Sequence, residues 1–99
     1  TVEEVVADNY SIVISGSNSI YQGQSKSYSA IVYNNGIEVV KDCVWSISDI
    51  TLATITAQNS TNATIKANSS LLGTVNLRCE MLENNTVFSI ISIQVKSII

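Results

Sequence analysis

The sequence predicts an all-β domain of seven to eight short antiparallel strands packed as a two-sheet sandwich. Three observations carry this prediction. Valine, isoleucine and threonine occupy 33 of the 99 positions, against 5 leucines and 6 alanines, and β-branched side chains favour the pleated strand over the helix. Clusters of Gly, Asn, Ser and Asp interrupt the chain about every ten residues, the spacing of short strands joined by turns. Nowhere do apolar residues recur at i, i+3, i+4 and i+7 over successive turns, so no amphipathic helix is predicted.

Residues 1–8 hold Glu3, Glu4 and Asp8 without a turn-forming residue and are predicted to be a linker from a preceding segment, with residues 9–99 as a single domain. The chain opens on Thr1 and lacks the charged and apolar regions of a signal peptide, so it reads as part of a longer polypeptide. The first strand sets Tyr10, Ile12 and Ile14 opposite Ser11, Val13 and Ser15, and stops at Gly16-Ser17-Asn18-Ser19. After Gly23, residues 26–33 alternate again, with Tyr28, Ala30 and Val32 on one side and Ser27, Ser29, Ile31 and Tyr33 on the other. Asn35-Gly36 then separates two apolar runs and supplies the positive φ angles of a two-residue hairpin.

In the next strand Cys43, Trp45 and Ile47 share one face, opposite Asp42, Val44, Ser46 and Ser48. Ala53 and Ile55 alternate with Thr54 and Thr56 until residues 59–62 break the run; Ala63, Ile65 and Ala67 alternate with Thr64 and Lys66 as far as Asn68-Ser69-Ser70. Residues 73–82 are the most regular strand, with Val75, Leu77, Cys79 and Met81 opposed by Thr74, Asn76, Arg78 and Glu80, and residues 83–86 turn it back. In the last strand Phe88 and Ile90 fall in one phase and Ile91, Ile93 and Val95 in the other. A bulge at residues 89–91 is expected to reconcile them.

Composition narrows the function. Ninety-nine residues hold one compact core. Lys26, Lys41, Lys66, Arg78 and Lys96 stand singly against eight acids, for a net charge of −3. No basic patch is left to follow a nucleic-acid backbone, and the apolar runs fall far short of the roughly 18 residues that cross a bilayer. Neither nucleic-acid binding nor membrane insertion is expected. There is no histidine, and Cys43 and Cys79 lie 36 residues apart, which matches no zinc or redox spacing. Accordingly the sequence predicts no enzyme, no catalytic residue, no metal and no cofactor. Five Asn-x-Ser/Thr triplets begin at Asn9, Asn59, Asn62, Asn68 and Asn84, in a chain whose 10 Asn and 23 Ser plus Thr produce such triplets by chance.

The middle of the chain also resembles a known family. Val44-Trp45-Ser46-Ile47-Ser48-Asp49 followed by Leu52-Ala53-Thr54-Ile55 is similar to the W-S-x-S-D…A-T-V signature of bacterial immunoglobulin-like domains of group 2, the modules of intimin- and invasin-type proteins. Gly23-Gln24-Ser25 with Tyr28-Ser29-Ala30, and Gly73-Thr74-Val75-Asn76-Leu77, resemble the second and a late strand of that family. The likeness spans roughly residues 10–95. It departs at residues 58–62, where the family places a glycine, and in the Cys43/Cys79 pair. The resemblance implies an immunoglobulin-like β-sandwich and a non-catalytic module, of the kind appended to tail, neck or head proteins of bacteriophages or strung along bacterial surface adhesins. The Asn/Ser-rich loops resemble the phage-appended version. It implies a virion surface, or alternatively a bacterial cell surface or secretion. Expected partners are neighbouring domains of the same longer chain, with host cell-surface glycans or other virion proteins beyond them; a carbohydrate-binding module is the remaining alternative.

Individual residues sharpen this picture. Trp45 in mid-strand, sharing its face with Cys43 and Ile47, is expected to fill the space between the sheets rather than stack on a ligand. Leu77 and Cys79 belong to the same core. No histidine is at hand to activate a thiolate, so Cys43 and Cys79 are read as buried structural thiols. Their strands are expected to be neighbours, and direct opposition would permit only a strained bridge. Asp49 is expected to brace a turn, the acids that would complete a calcium site with it (Asp42, Glu38) being dispersed. Glu80 and Glu83 are read as solvated. Tyr21 and Tyr33 lie off the core register and are the candidate surface contacts.

Overall fold

A computed structural model describes residues 7–97; most of the predicted linker, residues 1–6, lies outside the described residues, as do residues 98 and 99. Nine strands form two facing sheets with no helix among the described residues. They are β1 (Tyr10–Ser15), β2 (Ser19–Tyr21), β3 (Ser25–Asn34), β4 (Ile37–Val39), β5 (Cys43–Ile47), β6 (Ala53–Gln58), β7 (Asn62–Ala67), β8 (Gly73–Met81) and β9 (Asn84–Lys96). One sheet runs β1-β3-β7-β6 with β4 added on β3, and the other runs β2-β9-β8-β5. The two sheets pack face to face as a β-sandwich.

The count exceeds the seven to eight strands expected because two short ones escape any periodicity. At three residues each, β2 and β4 are too brief to show alternation. Nor is the sandwich wholly antiparallel: β2 pairs in parallel with β9, Ser19 opposite Gln94 and Tyr21 opposite Lys96. Past the first strand, the chain therefore crosses from one sheet to the other at Gly16, between β1 and β2. A Cβ on Gly16 would stand 2.2 Å from Cδ1 of Tyr28, so only glycine lets the crossing chain lie on that ring. The Tyr28 hydroxyl then donates to the carbonyl of Ser17, 2.6 Å away. Asn35 and Gly36 take φ of 53° and 83°, the two positive values that the β3–β4 hairpin requires.

The expected alternation places the core between the sheets. Ile12, Ile20, Tyr28, Ala30, Val32, Cys43, Trp45, Leu52, Ala53, Ala63, Ile65, Ala67, Val75, Leu77, Cys79, Met81, Ile93 and Val95 are buried, with Ile47 partly buried against them. In β9 the expected bulge is absent. The register runs unbroken from Gly73 opposite Val95 to Glu80 opposite Phe88, and slips only beside the turn, between Glu80 and Met81. Val87, Ser89, Ile91, Ile93 and Val95 point inward, while Phe88 and Ile90 stay on the outer face, 46% and 49% exposed. A second irregularity falls in β6, between Ile55 and Ala57.

Chain direction gives the sandwich two distinct poles. Tyr10, where β1 starts, pairs with Asn34 at the far end of β3, and Lys96, where β9 ends, pairs with Tyr21 beside the start of β3. The chain enters at one pole and leaves at the other, with a separation of about 30 Å from the ten residues of β3.

Candidate functional site

Trp45 is 3% exposed and spans the space between the sheets. Its indole N–H donates to the carbonyl of Asn59 at 3.2 Å, and its backbone N–H donates to Oε1 of Gln58 at 3.2 Å. Asn59 thus caps this ring, and Gln58 satisfies one backbone donor on the free edge of β5. Burial of an indole with its one donor satisfied stabilises a core. It leaves no face for stacking on a ligand.

Cys43 and Cys79 are both free and both buried. They lie on neighbouring strands, β5 and β8, but the register opposes Cys79 to Trp45 and Cys43 to Met81. The pair is therefore diagonal, a spacing wider than a directly opposed pair. Burial, together with the neighbouring Cys43, pushes the Cys79 thiol up to about 12. The Cys43 thiol is also raised by burial, in part countered by the hydrogen bond it receives from Cys79, and it faces the carbonyl of Lys41 at 3.8 Å. Two protonated thiols in an apolar setting are poor nucleophiles and poor metal ligands.

Polar side chains are spent on turns. Asp49 accepts from the backbone N–H and the hydroxyl of Thr51, and those bonds hold its carboxyl below the usual carboxylate range. Asn59 does the same with the N–H of Thr61 and of Asn62, Asn68 with the N–H of Ser70 and Leu71, and Asn84 with the N–H and hydroxyl of Thr86. Four turns share one device, an Asx residue whose oxygen accepts from the Ser or Thr two positions on. The triplets at Asn59, Asn68 and Asn84 are that device, a signal present in the sequence but indistinguishable there from a chance sequon.

The remaining candidates stand apart from one another. Tyr21 is exposed beside Lys96 in one sheet, and Tyr33 is half-buried between Ser11 and Glu38 in the other, at the opposite pole. They form no common patch, since strand alternation gives a residue's face but not its height along the sandwich. Glu80 lies 3.7 Å from Arg78, whose guanidinium stacks 3.9 Å from the centroid of the Phe88 ring. The Lys41 ammonium pairs with Glu83 at 2.8 Å, and that bond, with a second one that the ammonium donates to Tyr10, raises its pKa. Asp42 and Glu38 sit at the pole opposite Asp49, and no group of three or more metal-ligating side chains occurs among the described residues.

Depressions open to solvent occur at both poles. One of about 410 Å³ is lined by Gly23, Ile50, Lys66 and Asn68 among others, and one of about 390 Å³ by Val40, Lys41, Asp42, Leu82 and Glu83. Comparison with protein-family models, with curated proteins and with solved structures gave no match.

Proposed function

We propose that this chain is a non-catalytic immunoglobulin-like module of the bacterial group 2 kind, carried by a bacteriophage virion structural protein of the tail, neck or head, where it contributes weak attachment or stabilises the particle. The observation that carries the structural role is the placement of Tyr10, where the first strand starts, and Lys96, where the last strand ends, at opposite poles, a geometry suited to standing in line within an assembly. The W-S-x-S-D-like segment around Trp45 supports the family, and the Asn- and Ser-rich turns support the virion setting. The same end-to-end geometry favours a second reading, a spacer in a bacterial surface adhesin.

An antibody raised against the 99-residue chain separates the two. Gold labelling of phage particles in electron micrographs supports the virion module. Labelling confined to the bacterial envelope transfers the chain to the adhesin reading. Binding to a glycan array, lost on substituting Tyr21 or Tyr33, would replace both with a carbohydrate-binding module.

A further inference from the structure

The poles differ in charge and agree in apolarity. Among the described residues, the five most exposed large apolar side chains all lie at the poles. Val40, Ile37 and Leu82 (94%, 70% and 64%) sit where the chain enters, and Ile50 and Leu72 (73% and 60%) where it leaves. Those on the sheet faces reach 49% at most. Side chains this open gain nothing from the fold itself; Val40 and Leu82 line one depression with Lys41, Asp42 and Glu83, and exposed apolar groups gathered in this way mark contact surfaces.

Around the first cluster stand Asp8, Glu38, Asp42 and Glu83, against the single base Lys41, itself paired with Glu83. Around the second stand Lys66 and Lys96, with Asp49 engaged by Thr51. Lys26 adds a further positive charge there, half-buried on Ser17 and Ser19. One pole is acidic and the other basic, and each carries an aliphatic centre. Complementary charge around an apolar patch is the pattern of an interface that selects its partner's orientation.

We propose that the two poles are the two halves of one head-to-tail interface: the basic pole of one copy of this chain docks on the acidic pole of the next. The contact is heterologous, and because its two halves lie at opposite ends of the molecule it propagates along the long axis instead of closing into a two-fold dimer. Ile50 and Leu72 meet Ile37, Val40 and Leu82, and Lys66 and Lys96 face Asp8, Asp42 and Glu83. The inference holds whichever larger assembly carries the module.

Sedimentation velocity on the 99-residue chain tests it with two single variants, Val40→Lys at the acidic pole and Ile50→Asp at the basic one. Both side chains are solvent-exposed, and unchanged circular dichroism and thermal midpoint verify that each variant folds. The wild type is expected to form a concentration-dependent ladder of species up to about 1 mM, weakening at least about tenfold between low salt and 0.5 M salt. Each variant alone is expected to be monomeric. Their equimolar mixture is expected to give a dimer and nothing larger, because each contributes the one pole the other has lost, and an exposed Lys–Asp pair is too weak to rebuild the altered poles. A wild type that stays monomeric at low salt overturns the proposal. So does a result in which only one variant loses association, which would mean that like poles pair with like.

Discussion

Trp45 shows how one side chain ties both sheets. Its ring lies in the core while its N–H and its backbone reach Asn59 and Gln58, in the β6–β7 turn and at the end of β6 in the opposite sheet. Trp45→Ala is expected to cost about 3 to 5 kcal/mol of stability in urea unfolding, as large-to-small changes in packed cores do; a loss below about 1 kcal/mol would place the indole outside the core. The thiols supply a pH dependence. An unfolded cysteine titrates near 9, whereas burial holds Cys79 protonated until about 12. Its contribution to stability is complete below pH 9 and disappears as the pH rises through that interval, because only the unfolded chain readily releases the proton. Denaturation midpoints measured from pH 8 to 11 are expected to fall, with a shallower slope in Cys79→Ala; equal slopes would refute the assignment. Alternation in the sequence placed Trp45, Cys43, Cys79 and Leu77 on the core face, and they are buried. That Cys43 sits diagonal to Cys79 was not legible, since register depends on both strands and on the turns that join their neighbours.

At the scale of the element, the turns carry the specificity and the strands follow. Because Asx-x-Ser/Thr closes four turns, Asn59→Ala is expected to cost about 1 to 2 kcal/mol in thermal or urea unfolding, by removing the acceptor for two backbone donors. Asn59→Asp, which keeps an accepting oxygen, should recover most of that loss; failure to recover would mean the side-chain oxygen is not what matters. The last strand is the clearest failure of pattern reading. Phe88 and Ile90 fall out of phase with Ile91, Ile93 and Val95 in the sequence, a pattern that a bulge would reconcile. The structure leaves them outside, where Arg78 stacks on Phe88 and recovers part of what exposure forfeits, about 0.5 to 1 kcal/mol at such a site. Hydrophobicity alone marks a residue as able to be buried, and a sheet has two faces. The β1–β2 crossing was invisible for another reason. Its determinant is the approach of Gly16 to the Tyr28 ring, a contact across 12 positions of sequence that no local pattern encodes.

For the whole molecule, the two-sheet architecture was legible from composition and turn spacing, because strands of this length and amphipathicity have few ways to hide one face each. The candidate surface was not. Charges that look dispersed along the chain sort by pole only after every second strand reverses direction, so Asp8, Glu38, Asp42 and Glu83 gather at one end although 75 positions separate the first from the last. The parallel pairing of β2 with β9 has a mechanical consequence. A pull on the two chain ends draws β2 toward one pole and β9 toward the other, so the hydrogen bonds between them are loaded together in shear and cannot open one at a time. Single-molecule stretching from residues 7 and 97 is expected to show one abrupt rupture instead of a gradual unzipping. Replacing Ile20 with proline, which removes a backbone donor inside that short ladder, should lower the rupture force far more than a substitution in the outward face of β6. A module held by β1 on β3 and by so brief a strand as β2 on β9 would be a fuse under tension, intact until both ladders give way together.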